Sequence, residues 1–320
     1  MKKIRLIIPY FGKLPKFFPY FLLTAKRNEK INFLIYTDLK VDQFELLNAE
    51  NIEFKTLSFD DLREKVQSKF DFEISLKTPY KLCDYKVAYG FIFEEELKEY
   101  EYWGFCDTDV LLGDIYQFLE EYNFFTNDYA RYGLLGHLQI FKNSREVNRI
   151  FMSGQGSDYR LDYHNVYTSE QNFIFDESEG IQKLFEKFRF KQLQDKFFDD
   201  IDISHFSFRE YGENKSKRYY FWSEENGLES INLINDDIVV KRPLYAHFQK
   251  RMIKCPDFKL VNSFYVIPNQ LVIGEKISKQ ELVEVTRNKF YWEYVKSTML
   301  KKLKKEKWTF EFIRHKLRMK

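Results

Sequence analysis

The sequence predicts an α/β domain built on a mainly parallel sheet with helices on its faces. Three observations lead there. Apolar runs of strand length alternate with runs of helical spacing through the first third of the chain. A pair of aspartates follows directly on one of those runs, at the carboxyl end of the expected strand, where such sheets bind their ligands. The composition also allows a large core, since 44% of the 320 residues are hydrophobic, with 7 Pro and 12 Gly, which excludes disordered and fibrous classes.

Taken in order, Lys3 to Pro9 reads as a first strand and Lys16 to Arg27 as a helix, with apolar positions at Phe17, Phe18, Phe21, Leu22 and Ala25. The strand-like runs Asn32 to Thr37 and Ile52 to Leu57 follow, then a helix from Phe59 to Phe70 opened by Ser58. Repeated units of this kind imply parallel pairing. Pro79 is placed to open a long helix from Tyr80 to Leu97, and Tyr102 to Cys106 is an apolar strand running into Asp107-Thr108-Asp109. Beyond it, Leu134 to Lys142 reads as strand and Arg145 to Met152 as helix. Tyr219 to Trp222, Ser230 to Ile234, Ile238 to Val240 and Ser263 to Ile267 read as short strands, and Lys279 to Lys305 as a helix. The expected organisation is one body over residues 1–275 and a basic helical appendage over 276–320.

Net charge is +2, but from Lys296 to Lys320 there are 10 basic residues against 2 acidic ones, leaving 41 basic against 47 acidic residues in the body. An acidic body argues against nucleic acid as a partner. The tail interleaves Lys301, Lys302, Lys304 and Lys305 with Leu303, Trp308 and Phe310, a pattern suited to an anionic membrane surface or to a helix packed on the body. The first nine residues mimic a signal peptide but are broken by Arg5 and ended by Pro9, and no run is long enough to span a bilayer. Three cysteines without paired spacing suit a reducing compartment, so the expected location is cytoplasmic, with the tail allowing peripheral attachment to the inner face of the plasma membrane.

Asp107 and Asp109 carry the sharpest chemistry. Carboxylates at i and i+2 after an apolar strand can share one hard divalent cation; alone, such a pair is also an ordinary solvated loop. The apolar segment Val110 to Ile115 that follows favours the first reading. His247 lies in the apolar stretch Pro243 to Phe248, where a lone histidine is usually a core residue, but imidazole with two carboxylates is a plausible Mn²⁺ shell. His137, His164, His205 and His315 share no ligand spacing with another candidate.

With these residues the chain resembles a glycosyltransferase of the GT-A fold, most like small bacterial enzymes of capsule and lipopolysaccharide loci and more distantly the glycogenin and lipopolysaccharide galactosyltransferase family. The carrying segments are Ile8-Pro-Tyr-Phe-Gly12, Tyr36-Thr-Asp38, Lys81-Leu-Cys-Asp-Tyr-Lys86, Trp103 to Asp109, Ser169-Glu-Gln-Asn172 and Ala246-His-Phe-Gln-Lys250. The resemblance implies transfer of a sugar from a nucleotide-sugar donor, a UDP-sugar by preference, to a surface glycan or lipid-linked acceptor. It implies Mn²⁺ or Mg²⁺ on Asp107, Asp109 and His247. Pro9, Tyr10, Phe11, Gly12 and Asp38 would hold the nucleoside, Lys81, Asp84 and Lys86 the donor sugar and diphosphate, Thr108 the donor beside the cation, and Lys250 the phosphates. Glu170-Gln171 resembles the acidic-Gln pair of retaining relatives, with Glu in place of their Asp. Asp176 or Glu177 would be the general base of an inverting enzyme, and the two otherwise read as caps of a helix from Glu179 to Phe188. Two other classes fit parts of the pattern. A haloacid-dehalogenase-like phosphatase would use Asp107 as nucleophile with Asp236-Asp237 as its late acidic pair, and a binding protein would keep the nucleotide pocket without turnover.

Overall fold

The computed structural model describes residues 2–156, 158–213 and 216–286. Its strands are β1 (Ile4–Pro9), β2 (Ile31–Thr37), β3 (Ile52–Thr56), β4 (Tyr102–Cys106), β5 (Val110–Leu112), β6 (Arg131–Tyr132), β7 (Leu138–Lys142), β8 (Gln192–Leu193) and β9 (Asp199–Asp200), then β10 (Arg218–Ser223), β11 (Gly227–Ile234), β12 (Asp237–Lys241), β13 (Tyr245–His247), β14 (Ser263–Ile267) and β15 (Gln270–Ile273). Between the first strands lie α1 (Phe18–Arg27), with Pro in its first turn, and α2 (Phe59–Gln67). A capping box opens α2, where Asp61 N–H donates to Ser58 Oγ at 3.1 Å and Ser58 N–H to Asp61 Oδ2 at 3.0 Å.

The central sheet has the order β3-β2-β1-β4-β7-β6-β8. Its first four strands run parallel, whereas β7 enters antiparallel against β4 with Cys106 opposite Leu138. Side chains alternate across the sheet, so Ile4, Leu6 and Ile8 of β1 pack with Phe18, Phe21 and Leu22 of α1, while Ile7 faces Leu34, Trp103, Phe105 and Tyr89 on the other side. Both faces of β1, β2 and β4 are covered, which is why they read as continuous apolar runs, whereas the edge strand β3 alternates apolar and polar residues. A second, antiparallel sheet has the order β12-β11-β10-β14-β15, and a three-stranded ribbon β5-β13-β9 forms a third.

Several expectations change. The helix expected over Tyr80 to Leu97 is a series of short turns at Pro79–Lys81, Leu82–Tyr85, Lys86–Ala88, Tyr89–Ile92 and Glu94–Leu97. The segment buries Leu82, Tyr85, Val87, Ala88, Tyr89, Ile92, Phe93 and Leu97, more directions than one helical stripe can serve. The strand over Leu134 to Lys142 starts only at Leu138, and the helix over Arg145 to Met152 is a four-residue turn, Arg145–Asn148, continued as a tighter helix at Ile150–Gly154. Asp176 does not cap the following helix; it is buried, and Glu177 at the cap position makes no side-chain capping bond. The C-terminal helix is described over Lys279–Val285, with Leu282 packed against Tyr219, Phe221 and Ile231; the remainder of the expected appendage and its basic tail lie outside the described residues. Among the described residues no helix is long and apolar enough to cross a membrane.

Candidate functional site

The carboxyl end of β4 delivers Asp107, whose N–H donates to the His137 carbonyl at 2.7 Å, so the loop before β7 is tied beside it. The chain turns through Thr108 and Asp109 into β5, which pairs antiparallel with β13 so that Val110 faces His247. Phe248 N–H donates to the Asp109 carbonyl at 3.0 Å. On its other side β13 runs parallel to β9, with His247 in register with Asp200. The ribbon therefore sets Asp109, His247 and Asp200 side by side, while Asp107 joins them from the central sheet.

Asp107, Asp109 and His247 each offer a ligand atom within 4.8 Å of the others, and His137, Asp200 and His247 form a second such group. His247 is 6% exposed; its Nε2 lies 3.4 Å from Asp109 Oδ1 and its Nδ1 2.8 Å from Asp200 Oδ1. Burial alone would lower the imidazole, but the hydrogen bonds to Asp109 and Asp200 and the nearby carboxylate charges raise it to about 9. The His137 ring stacks on His247 with centroids 3.6 Å apart; burial and the His247 charge lower it to about 4.

Lys86 Nζ donates to Asp107 Oδ1 at 2.7 Å and to the Gly136 carbonyl at 2.8 Å, and lies 3.2 Å from Asp176 Oδ2. Burial pushes the Asp107 carboxyl up, but Lys86 and the two imidazoles more than offset this and hold it below its ordinary value. Asp176 stays above its own because burial dominates, and Glu177 is raised by burial and by Asp176. A side chain at Gly136 would collide with the Asp176 carboxylate, so glycine there permits the close approach.

The other expected residues divide. Gly12, in the left-handed region at φ +93°, donates its N–H to Asp38 Oδ1 at 3.1 Å; Tyr10 N–H donates to the Tyr36 carbonyl and its hydroxyl to the Lys13 carbonyl, and Phe11 packs edge-on against Phe59. The turn after Pro9 and Asp38 are thus one structure. Lys81 and Asp84 are not held apart for a ligand. Lys81 Nζ lies 2.7 Å from Asp84 Oδ2 and donates to the carbonyls of Val166 and Gln171, while Asp84 accepts from the backbone of Phe173 and Phe175. Glu170 and Gln171 are exposed, and Glu170 pairs with Lys77. Lys250 is exposed, its Nζ 5.7 Å from the centre of the Tyr80 ring. Asp236-Asp237 falls at the β11–β12 hairpin, where Asp236 pairs with Lys279, so the phosphatase alternative finds its late acidic pair in the second sheet.

Sequence reasoning missed His137 and Asp200. The apolar run of β7 was visible, but its antiparallel entry, which puts the residue before it next to Asp107, was not. Asp200 sits in a two-residue strand with no period to read.

The chain matches a family of unknown function (DUF6625) over residues 6–275 and belongs to that family. A search of curated proteins finds no match. Among solved structures, mouse xyloside xylosyltransferase 1 in its apo form is similar with a TM-score of 0.39 and 10% identity, over 63% of this chain and 88% of that one. The mannosyltransferase Ktr4p from S. cerevisiae is similar with a TM-score of 0.31 and 10% identity, over 54% of this chain and 63% of that one. Its complex with GDP gives the same score and identity over 64% of its chain.

Proposed function

We propose that this chain is a metal-dependent glycosyltransferase of the GT-A type, moving a hexose from a nucleotide-sugar donor, a UDP-sugar in the first instance, to a glycan or lipid-linked acceptor. The observation that carries the reading is the convergence of Asp107, Asp109 and His247 at the carboxyl end of a parallel strand, beside the largely covered cation of Lys86. Two carboxylates and an imidazole are a donor set suited to Mn²⁺ or Mg²⁺. When bound there, the cation would supply charge stabilisation for the departing diphosphate.

The chain's own groups have distinct tasks in this reading. Lys86 keeps Asp107 ionised, the Gly12–Asp38 turn holds the nucleoside, and exposed Lys250 meets the phosphates. Retention is the proposed stereochemistry, with Gln171 on a loop that Lys81 ties down; Asp176 and Glu177 are the pair an inverting enzyme would use. The anomeric configuration of the product, read by proton NMR, separates these two.

The test of the reading is release of UDP from UDP-sugars by the full chain. Release is expected to need Mn²⁺ or Mg²⁺, to stop on chelation, and to fall by at least about 100-fold in Asp109→Ala, the scale of losing a main electrostatic stabiliser. Release indifferent to chelator and to Asp109→Ala overturns it. Turnover of p-nitrophenyl phosphate abolished by Asp107→Asn would instead support the phosphatase, and a donor-induced thermal shift without any UDP release the binding protein.

A further inference from the structure

We propose that Asp200 is the positioning residue of this site: it fixes the imidazole of His247 so that Nδ1 carries the proton and Nε2 faces Asp107 and Asp109. The proposal rests on the metal reading above and deepens it.

Backbone geometry confines the ring first. β13 is clamped between β5 and β9, with His247 opposite Val110 on one side and Asp200 on the other. An imidazole that ligates a metal is neutral, with one N–H and one lone pair, so one ring nitrogen must donate while the other binds. The contact at hydrogen-bond length is Nδ1 to Asp200 Oδ1 at 2.8 Å, whereas Nε2 stands 3.4 Å from Asp109 Oδ1. With one proton held toward Asp200, a cation that displaces the proton on Nε2 would find the lone pair left there directed at the carboxylates of the β4 end.

Asp200 is itself held. Gln249 Nε2 donates to the same Oδ1 at 3.0 Å and lies 3.1 Å from the Tyr211 hydroxyl. The neighbouring Asp199 accepts from the Tyr220 hydroxyl at 2.8 Å and lies 3.6 Å from Arg218, which fixes β9 to β10 of the second sheet. His137 covers one face of the His247 ring, so the ring cannot turn over without displacing it. His137 is 9% exposed, and among the described residues its Nδ1 has no hydrogen-bond partner.

That orphan nitrogen defines the rival arrangement. His137, Asp200 and His247 also converge, and a cation there would take His247 through Nδ1. One lone pair cannot serve both groups. All three members of the rival group are buried, while Asp107 and Asp109 are partly exposed and open to a diphosphate.

The experiment uses the full chain with Mn²⁺ alone, its affinity read by electron paramagnetic resonance. Wild type is expected to bind and Asp109→Ala to lose binding. Asp200→Ala is expected to bind 10- to 100-fold more weakly, the usual cost of removing a carboxylate behind a ligating histidine. Asp200→Asn, whose amide oxygen still accepts from Nδ1, is expected to recover most of that loss, a rescue that a merely structural role for the charge would not give. In ¹⁵N-histidine protein with ¹¹³Cd²⁺ as a diamagnetic probe, metal coupling is expected at Nε2 of His247, with Nδ1 protonated. Wild-type affinity in folded Asp200→Ala, or coupling at Nδ1 of His247 together with a His137 nitrogen, overturns the proposal. If Asp200→Ala fails to fold, the wild-type Cd²⁺ spectrum still decides. Absence of Mn²⁺ binding by wild type overturns the metal reading itself, an outcome distinct from binding that ignores Asp200.

Discussion

Lys81 and Lys86 stand five residues apart on one broken segment, both nearly buried and each bound to aspartate, yet they belong to different regions of the molecule. Lys81 meets one carboxylate, Asp84 at i+3, and two backbone carbonyls from the 166–171 stretch. Its three donors are satisfied and its charge is matched, so it staples a loop to the core. Lys86 meets two carboxylates, Asp107 and Asp176, from two separate segments. With Asp109 close by, that region keeps a surplus of negative charge, as a cation site requires. Burial and ion pairing are therefore common to both lysines. What differs is the balance of charges, one carboxylate at Lys81 and two at Lys86.

The largest effect expected from breaking this contrast is at the staple. Lys81→Met leaves Asp84 buried without its cation and is expected to cost about 3–5 kcal/mol in denaturant unfolding, with no recovery on adding Mn²⁺. Next comes the pH dependence of the ion-free protein. His247 is raised to about 9 from 6.5, so its contribution is fully present below pH 6.5 and lost as pH rises toward 9. His137 is lowered to about 4, so stability also falls as pH drops from 6.5 toward 4. Each limb is expected to be on the order of 3 kcal/mol, giving a maximum near pH 6.5 that unfolding curves across pH would reveal; a flat profile from 6.5 to 9 contradicts the His247 environment.

Smaller effects probe the surplus charge directly. Lys86→Met removes the ammonium from two carboxylates, of which Asp107 is partly hydrated, and is expected to cost about 1–3 kcal/mol. Unlike the staple variant, it is expected to be stabilised by Mn²⁺ more than wild type is, since the cation replaces the lost charge; equal thermal shifts would count against a cation at these carboxylates. Gly136→Ala, which drives a methyl group into the Asp176 carboxylate, is expected to lose a similar amount through local strain. Least of all, Glu170→Gln removes an exposed ion pair with Lys77 and is expected to leave thermal unfolding unchanged. Under the proposed function, any loss of sugar transfer in that variant then reports chemistry rather than folding.

What could be read beforehand follows from how local each feature is. β1, β2 and β4 are legible because a strand covered on both faces leaves a continuous apolar run, β3 because Ile52 and Phe54 alternate with Glu53 and Lys55 as in an edge strand, and Ser58 marks the start of α2. Asp107 and Asp109 are legible because the apolar runs on both sides, Tyr102 to Cys106 and Val110 to Ile115, set the pair at a strand end. The 79–97 segment misled because its apolar residues fit a helix on paper but serve several packing directions, and the trio Lys81, Asp84 and Lys86 was split accordingly. His137 and Asp200 left no signal, since each reaches His247 only through strand pairings distant in sequence.

An α/β architecture, a pair of carboxylates at a strand end and a late histidine are legible from the residues in order, because residue type and periodicity are local properties of the chain. Which lysine faces those carboxylates, and which carboxylate stands behind the histidine, follow from contacts between distant segments. Both depend on an antiparallel strand inserted beside β4 and on the short ribbon joining β5, β13 and β9, whose partners are distant in sequence and are brought together by packing.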